Sequence, residues 1–485
     1  MKVVICGAGP VGALAALYAA RKGYEVEIYE MRGDVTAEDK EATRQLGKSI
    51  NITMSDRGFE ALEQSGDRGL VQDVVNGTIP VFAREVHGVS NLGHLTSTKI
   101  RYHVQDKPLR VVSRGGLRDI LLNRILGMPN VKSYYNRKLV HADLDAKVAV
   151  FTDPRWKDAY AGQKHVCVAF DLLIGADGAH SAVRHNLTRY INMDISQRWL
   201  DLCWCEFLVS QTTEGRPKIA LDTLHVWPQK DCMFLALPNP DGTFTCNLFA
   251  PAAIIRDLKR SGKGSAVVEF FCQKFPGIVP QLMTPNELLD QFCRTTPAEL
   301  HDMRVSPISY KNRCILVGDA AHTMVPFYGQ GMNTGLEDVR VLFQDYLSRI
   351  PDDHLSRGGL PDELPLFSEY SAQRQPDVAV MTALALENYA EMRLAQKSWA
   401  KSARRWLEET LQARFPGLGW STLYSRVAFS CERFTEIQRK NEQQTFVLKA
   451  LLISFIIFFF TLCAIMFSMV CRWEHLLPAP LPFSF

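Results

Sequence analysis

The chain has 485 residues, of which 47% are hydrophobic and 22% are charged, the composition of an ordinary globular protein with roughly two to four structural units. Its formal net charge is +3 and it carries no basic stripe, which excludes a protein built to bind nucleic acid. The 12 cysteines form no C-x-x-C pair. This argues against a zinc ribbon or a disulfide framework and for reduced thiols in a cytosol-facing compartment.

The beginning of the chain carries a glycine-rich pattern that is typical of dinucleotide binding. An apolar run, the motif G-x-G-x-x-G at 7–12, a helical stretch and a second apolar run follow one another and end at Glu30. Gly7 permits the tight turn, Gly9 lets the backbone approach a pyrophosphate, and Gly12 allows the helix to pack closely on the strand. Glu30 can accept hydrogen bonds from ribose hydroxyls. The pattern occurs once, so the sequence predicts one resident dinucleotide and a second that docks transiently.

Two further segments combine an apolar strand, a turn and a helix start, DLLIGADGAHSAVR at 171–184 and CILVGDAAHTMVPFYGQGMNTGLED at 314–338. Taken alone, each is equally well an ordinary strand-to-helix turn. Together and in this order, the three motifs resemble those of the single-component FAD-dependent aromatic hydroxylases. The resemblance implies an α/β fold, with a Rossmann-type FAD-binding domain, a mainly antiparallel-sheet substrate domain and a helical C-terminal region.

The resemblance also implies which residues hold FAD. The aspartate of the second motif, here Asp177, contributes in that family to flavin and nicotinamide handling, and that of the third motif, here Asp319, binds the ribityl chain. The glycine-rich helix start lies beside the flavin ring, where a helix N-terminus stabilises the negative charge of reduced flavin. The implied FAD-binding residues are Gly7, Gly9, Val11, Gly12, Tyr29, Glu30, Arg32, Thr53, Arg114, Leu139, Asp177, Asp319, Gly331, Met332 and Asn333.

Further segments are similar to the branch of that family whose substrate is L-kynurenine. They lie at 47–58, 79–88, 224–228, 234–251, 325–333 and 387–393. The resemblance implies that NADPH reduces a tightly bound FAD, that O₂ forms a C4a-hydroperoxide on it, and that L-kynurenine becomes 3-hydroxy-L-kynurenine, a step of tryptophan degradation and NAD biosynthesis. We assign no catalytic side chain and no metal ligand, because the flavin carries the chemistry.

Five residues match substrate-binding positions of that branch. Arg84 and Tyr102 match residues that bind the substrate carboxylate, and an arginine fork suits a carboxylate geometrically. Asn388 and Glu391 share one face of a predicted helix and match polar residues near the amino-acid head group. Tyr424 matches a further substrate tyrosine. Without the resemblance, the residues themselves favour ordinary structural roles, namely an exposed arginine on a sheet edge, a polar helix face and a half-buried tyrosine.

Two segments depart from the family pattern. Pro108 cannot donate to a strand ladder, which indicates an edge strand here, and Arg110 could compete with Arg84 for the carboxylate. The polar sequence at 153–164 predicts a hairpin extension of unknown purpose. A predicted hairpin with its turn at 238–242 offers one face as an apolar wall over the flavin.

Residues 450–471 carry no charge over 22 positions. As a helix this stretch would be roughly 33 Å long, the thickness of a hydrocarbon core, and we expect a single-pass C-terminal anchor. Lys and Arg residues are more numerous before the stretch than after it, so the body is expected on the cytosolic side. The resemblance implies the mitochondrial outer membrane, and the endoplasmic reticulum is the alternative.

The expected organisation divides the chain into four parts. They are a discontinuous FAD-binding domain at 1–75, 110–180 and 300–345, a substrate domain at 76–109 and 181–299, a helical region at 346–445 and the anchor at 450–471. Two other functions stay open from the residues. One is an FAD hydroxylase acting on a different aromatic ring, and the other is a membrane-tethered flavin-binding scaffold with incidental turnover.

Overall fold

A computed structural model describes residues 1–33, 51–155, 165–351, 360–362, 364–393 and 399–474. Its strands are β1 Lys2–Cys6, β2 Glu25–Tyr29, β3 Asn51–Met54, β4 Ile79–Val81, β5 Ala83–Val89, β6 Leu95–Arg101, β7 Leu109–Ser113, β8 Val131–Tyr134, β9 Lys138–Asp143, β10 Val148–Thr152, β11 Val166–Ala169, β12 Leu172–Gly175, β13 Asp194–Val209, β14 Thr223–Pro228, β15 Met233–Pro238, β16 Phe244–Ala250, β17 Ala298–Ser306, β18 Ser309–Tyr310, β19 Cys314–Leu316 and β20 His322–Thr323. Its α-helices are α1 Pro10–Arg21, α2 Asp56–Glu63, α3 Leu70–Asn76, α4 Arg114–Ile125, α5 Ala182–Leu187, α6 Ala252–Ser261, α7 Gly264–Lys274, α8 Pro285–Arg294, α9 Gly331–Val341, α10 Leu366–Arg393, α11 Trp399–Arg414, α12 Leu423–Ala428 and α13 Phe434–Glu474.

A six-stranded sheet in the order β18-β19-β12-β1-β2-β8 forms the nucleotide fold. All of its neighbours are parallel except β18 and β19. Strand β1 and the residues of α1 that face it are buried and apolar, because a parallel sheet is covered on both faces. The predicted Rossmann-type α/β fold is therefore confirmed.

An eight-stranded sheet in the order β20-β17-β13-β16-β15-β14-β5-β6 forms the second layer. Its pairs are antiparallel except for β14 and β5, which run parallel. Because side chains alternate along a strand, the sheet has two distinct faces. The site face carries Leu224, Val226, Leu235 and Phe249, and the reverse face carries Trp227, Phe234 and Phe244 under α6, α7 and α8. The predicted hairpin is present as β15 and β16, with Gly242 at φ +82° in its turn.

The expectation of an edge strand at Pro108 is wrong. Strand β7 begins at Leu109, immediately after the proline, and is the central strand of a three-stranded sheet in the order β3-β7-β4. Val111 pairs with Thr53 on one side and with Ile79 on the other. The proline precedes the ladder, so its missing N–H costs no strand hydrogen bond.

The structure also bears on Arg110 and on the predicted extension at 153–164. The Arg110 guanidinium donates to the Thr78 hydroxyl at 3.3 Å, so it has a partner within the protein. Strands β10 and β11 pair antiparallel on either side of the predicted 153–164 extension. Asp153 accepts hydrogen bonds from Arg155, and the rest of that extension, 156–164, lies outside the described residues.

The C-terminal region is helical, as predicted, and ends in α13, which has 41 residues. Among the described residues, one helix is long and apolar enough to cross a membrane, Phe434–Met469, and the side chains of its apolar window are exposed. This helix contains most of the predicted 450–471 stretch. The division of the whole chain into domain ranges stays a prediction.

Candidate active site

The glycine-rich loop leaves room for a ligand at one of its three glycines. Gly7 has φ +100°, and a Cβ there would clash with the Ala176 carbonyl. A Cβ on Gly12 would clash with the Gly7 carbonyl, so both positions require glycine for the fold itself. A Cβ on Gly9 would meet nothing within 4 Å, so the backbone there faces open space. Helix α1 begins at the next residue, and its free N–H groups point toward that space.

Two acidic residues flank this loop. The Glu30 carboxylate accepts hydrogen bonds from the backbone N–H of Ala8 at 2.9 Å and of Arg32 at 3.0 Å, which hold it beside the loop. Asp177 Oδ2 accepts from the Ala182 N–H at 2.7 Å, at the start of α5. Asp177 Oδ1 is buried and has no hydrogen-bond partner within the described chain, and burial raises the pKa of this carboxyl group. A buried acceptor without a donor is unusual, and a bound cofactor that donates to it would satisfy it.

The third motif brings opposite charges together beside the first motif, where Val11 packs against Gly318, and we call the surface around this contact the groove. Arg114 opens α4, and Asp319 lies in the 3₁₀ turn Gly318–Ala320 after β19. Arg114 Nη2 and Asp319 Oδ2 are 3.9 Å apart, and both side chains remain partly exposed. Helix α9 starts at Gly331 with no side-chain cap, so its first N–H groups are available to an anion.

Three predicted cofactor residues join the first motif to the third. Asn333 is buried, and its amide donates to the carbonyls of Thr53 and Gly329 at 2.8 Å each. Gly329 has φ +68°, and a Cβ there would clash with the Thr53 hydroxyl. Val11 packs against Gly318 across the groove. Thr53 and Val11 shape the groove. The side-chain amide of Asn333 makes its hydrogen bonds with the protein itself.

The remaining predicted cofactor residues are placed differently. Tyr29 is buried, its ring stacks on Phe151 at 3.9 Å between centroids, and its hydroxyl donates to Glu27. Leu139 is also buried, Met332 is half-buried, and Arg32 is exposed. Tyr29 and Leu139 therefore support the wall of the groove.

The predicted substrate residues meet on the site face of the eight-stranded sheet. Arg84 is half-buried on β5, beside a column of three tyrosines in which Tyr424 stacks on both Tyr102 and Tyr328. Each stacked pair has ring centroids 5.3 Å apart and planes 19° apart. No ion pair or hydrogen bond engages the Arg84 guanidinium within the described residues. A half-buried cation without a counter-ion, beside aromatic hydroxyls, is suited to binding an anion such as a carboxylate.

The charge of the Arg84 guanidinium acts on the hydroxyls of all three tyrosines. Burial raises the pKa of all three tyrosines, to about 12 for Tyr424, and the charge of Arg84 opposes that rise in each. At neutral pH the hydroxyls are therefore protonated, and each can donate a hydrogen bond. The interaction confirms that Arg84 lies close to the three rings even though they come from distant parts of the chain.

Asn388 and Glu391 lie near the site but act differently. The Asn388 amide donates to the Phe327 carbonyl at 2.7 Å and so ties α10 to the turn Pro326–Tyr328. Glu391 is 60% exposed and pairs with Lys401 at 2.7 Å, which places it at the rim. Its charge still raises the pKa of Tyr328, so it lies close to the tyrosine column.

Sequence reasoning missed the aromatic residues of that turn. Tyr328 belongs to the tyrosine column, and Phe327 stacks on Tyr389 at 4.0 Å and contacts the edge of Phe249 at 5.0 Å. The sequence contained a signal for both residues, because they lie in the family-like segment at 325–333. Only the glycine-rich helix start of that segment was interpreted, as a part of the flavin site. Leu235 joins this apolar cluster from the site face.

Comparisons with known proteins agree with this geometry. The model of the FAD binding domain family matches residues 1–348. The kynurenine 3-monooxygenase of Chaetomium globosum is 42% identical over 460 residues, which cover 91% of this chain and 94% of that protein. The chain belongs to the kynurenine 3-monooxygenase family. The kynurenine 3-monooxygenase of Neurospora crassa is likewise 42% identical and covers 92% of this chain and 89% of its own length.

Solved structures share the fold of this kynurenine 3-monooxygenase family member. A 2-methyl-3-hydroxypyridine-5-carboxylic acid oxygenase superimposes with a TM-score of 0.62 at 20% identity, over 87% of this chain and 98% of that one. Pseudomonas aeruginosa PqsL in complex with 2-aminobenzoylacetate gives a TM-score of 0.62 at 18% identity, over 81% and 96%. At this identity the likeness concerns the fold alone.

FAD is the cofactor of this chain, and the residues of the groove fit it. Gly9 leaves open space where a pyrophosphate can approach, and Asp177 offers an unsatisfied acceptor beside it. The uncapped start of α9 offers further backbone N–H donors. These features suit a long, anionic ligand that carries hydroxyl groups between its phosphates and its ring.

Proposed function

We propose that this chain is an FAD- and NADPH-dependent monooxygenase that converts L-kynurenine to 3-hydroxy-L-kynurenine. The observation that carries the proposal is the unpaired Arg84 guanidinium beside the hydroxyls of Tyr102, Tyr328 and Tyr424. This arrangement suits the carboxylate of an amino acid whose aromatic ring extends toward the flavin. The names of the relatives that are about 40% identical over nine tenths of the chain support the same substrate.

The residues of the site position the substrate. The guanidinium of Arg84 presents parallel N–H donors, which match the two oxygens of a carboxylate. Because burial keeps the tyrosines protonated, their hydroxyls add neutral donors without repelling the anion. Asn388 keeps the turn Pro326–Tyr328 in place, and so positions Tyr328.

An apolar wall completes the site. Leu235 and Phe249 from the hairpin and Phe327 from the third motif belong to one buried cluster. Their side chains exclude water from the reacting ring, which limits the loss of oxidising equivalents to side reactions. FAD, when bound, would supply the redox chemistry, with NADPH as the two-electron reductant, O₂ as the source of the inserted oxygen atom and water as the product of the second oxygen atom. The ring amine of kynurenine already donates electron density, so we assign no general base.

We further infer that the protein is anchored in the mitochondrial outer membrane with its body in the cytosol. The support is the exposed apolar part of the helix Phe434–Met469 and the basic residues that precede that part, Arg433, Arg439, Lys440 and Lys449. The choice of this membrane rests on the family resemblance, and the endoplasmic reticulum is the alternative.

A product assay tests the reaction. Purified protein is incubated with NADPH, O₂ and L-kynurenine, and the product is expected to gain about 16 Da, one oxygen atom, by mass spectrometry. NADPH oxidation should depend on kynurenine and should be slow with salicylate. Faster turnover of salicylate or a quinone precursor would favour a hydroxylase with another substrate. Retained FAD with no kynurenine product would favour a flavin-binding scaffold.

A further inference from the structure

A cluster of three potential metal ligands lies directly behind the substrate arginine. Glu85 and His87 are two residues apart on β5, so they share a face of the sheet, and His225 on β14 pairs in register with Glu85. Arg84 alternates with them and belongs to the site face. The cluster is therefore on the reverse face, where the His87 ring stacks on Trp227 at 4.2 Å.

The separations of the ligand atoms suit a tetrahedral cation. His87 Nε2 lies 2.9 Å from His225 Nδ1, and Glu85 Oε2 lies 3.7 Å from the same nitrogen. All three atoms lie within 4.8 Å of one another. Zinc bonds of about 2.0–2.1 Å in a tetrahedron require ligand atoms about 3.3 Å apart, a value that the two shorter separations bracket. A small rotation of the Glu85 side chain is enough to bring its oxygen into the same geometry.

The surroundings orient His225 as a ligand. Its Nε2 lies 2.8 Å from the Ala220 carbonyl and therefore carries the proton, so its Nδ1 accepts a hydrogen bond from His87 Nε2. A cation would take the place of that shared proton, with His87 then carrying its own proton on Nδ1.

A route from solvent reaches the same face. A surface cavity of about 510 Å³ is lined by residues that include Ala83, Lys99 and Thr223. Ala83 and Lys99 share the reverse face with Glu85 by strand alternation, and the Thr223 hydroxyl lies 3.1 Å from His225 Nε2. Lys99, the cation nearest the cluster in this cavity, is paired with Asp222 at 3.7 Å, which partly offsets its charge.

We propose that Glu85, His87 and His225 form a Zn²⁺ site, with water as the fourth ligand, that fastens β5 to β14 behind Arg84. Two imidazoles and one carboxylate favour zinc over the all-oxygen coordination that calcium and magnesium prefer. The proposal does not depend on which aromatic substrate the enzyme hydroxylates. It adds a metal to a region in which sequence reasoning assigned none.

Calorimetric titration of the tag-free, metal-free holoenzyme with zinc chloride tests the site. We expect one Zn²⁺ per chain. His87→Phe keeps an aromatic ring against Trp227 but removes the ligand, and should weaken binding at least tenfold. The matched control is His94→Gln, because His94 is exposed on the turn of the same hairpin and should bind zinc as the wild type does.

A second measurement does not depend on any variant folding. Co²⁺ added to the wild-type holoenzyme should give the intense visible absorption of a four-coordinate ion, and Zn²⁺ should displace it. Absence of stoichiometric zinc binding, a weak six-coordinate cobalt spectrum, or equal loss of affinity in His94→Gln would each overturn the proposal. FAD content and kynurenine turnover are measured on the same samples. A wild type that binds zinc but forms no kynurenine product would overturn the proposed reaction and leave the metal site standing.

Discussion

A half-buried guanidinium without a counter-ion costs free energy, because water solvates it only in part and nothing in the protein neutralises it. Arg84 carries such a group, held between Ile100 of β6 and Leu224 of β14 by strand pairing. The binding of a carboxylate removes that cost. We therefore expect Arg84 to favour substrates with an acidic head group over unsubstituted anilines.

Substituting Arg84 by alanine tests this role. We expect Arg84→Ala to weaken kynurenine binding about 100-fold, the equivalent of ~3 kcal/mol, because the substrate carboxylate is left buried and unpaired. The measurement is the Kd of kynurenine from quenching of flavin fluorescence. Arg101→Ala is the matched control, since Arg101 lies on the adjacent strand, is 70% exposed and shares the reverse face with Ala83. A loss below about threefold in Arg84→Ala would remove this residue from the site.

At this scale, the sequence revealed residues whose role depends on local geometry. Gly7 and Gly12 follow from steric needs inside one turn, and Glu30 follows from its place at the end of the second strand. Tyr328 could not be derived in this way, because its function arises from stacking on Tyr424, which lies 96 residues later in the sequence. Nor does spacing along the chain show that Glu391 pairs with Lys401 at the rim.

Among the elements, α9 is held by a buried network of charges. Arg57 Nη1 lies 2.7 Å from Glu337 Oε1, and Arg374 contacts Glu337 and Asp338 at 2.9 and 2.8 Å. Asp338 also accepts a hydrogen bond from the Gly318 N–H at 2.9 Å. The network joins α2, α9 and α10 to the turn that carries Asp319. It therefore fixes the helix whose N-terminus lies at the flavin end of the groove.

Removal of one charge from this network should destabilise the protein in a pH-dependent way. Asp338→Asn leaves Arg374 with one carboxylate, and we expect a loss of about 3–5 kcal/mol at pH 7 in urea unfolding. Although burial opposes ionisation of Asp338, His322 and Arg374 lower its pKa below the ordinary value. Its contribution is therefore complete above about pH 4 and is lost as the pH falls through the folded-state pKa.

The difference between Asp338→Asn and the wild type should consequently shrink between about pH 4 and pH 2. Asp345→Asn is the matched control, because Asp345 follows the same helix and its exposed carboxylate pairs with Arg340 at 3.7 Å. That pair should contribute no more than about 1 kcal/mol. Equal effects of the two substitutions would show that the buried network does not fix α9.

In the whole molecule, the third motif passes from one sheet to the other. Strand β19 belongs to the six-stranded sheet, β20 belongs to the eight-stranded sheet, and α9 begins after the turn Pro326–Tyr328. This crossing brings the flavin groove next to the site face. The sequence predicted the Rossmann-type half from one continuous pattern. The hairpin of β15 and β16 could be predicted, but the full strand order could not, because β5 pairs with β14 and β13 pairs with β17 across long stretches of sequence and each strand is compatible with several partners.

Truncation tests the role of the C-terminal helix. The start of α13 belongs to the body, since Phe434 and Ile437 are fully buried and Gln444 donates to the Ser421 carbonyl. A chain ending at residue 445 should therefore retain FAD and kynurenine turnover and should appear in the soluble fraction after carbonate extraction. A chain that lacks only 475–485 is the control and should stay with the membrane.

Two outcomes would contradict this assignment. Membrane retention of the chain ending at residue 445 would show that another surface holds the protein, and solubility of the control would place the anchor further along the chain. Imaging of the tagged full-length chain against markers of the mitochondrial outer membrane and the endoplasmic reticulum distinguishes the two proposed locations.

The uninterrupted course of α13 has a mechanical consequence. The ring of Phe434, at its first turn, lies 3.8 Å from the guanidinium of Arg57, and the same guanidinium holds Glu337 of α9. Helix α13 thus runs without interruption from its apolar part to the residues that pack against α9. If α13 tilts in a bilayer as the bilayer thickness changes, the tilt would be transmitted through Phe434 and Arg57 to α9. Turnover should then differ between vesicles with thin and with thick bilayers. A flexible linker between the body and the anchor would not produce this difference.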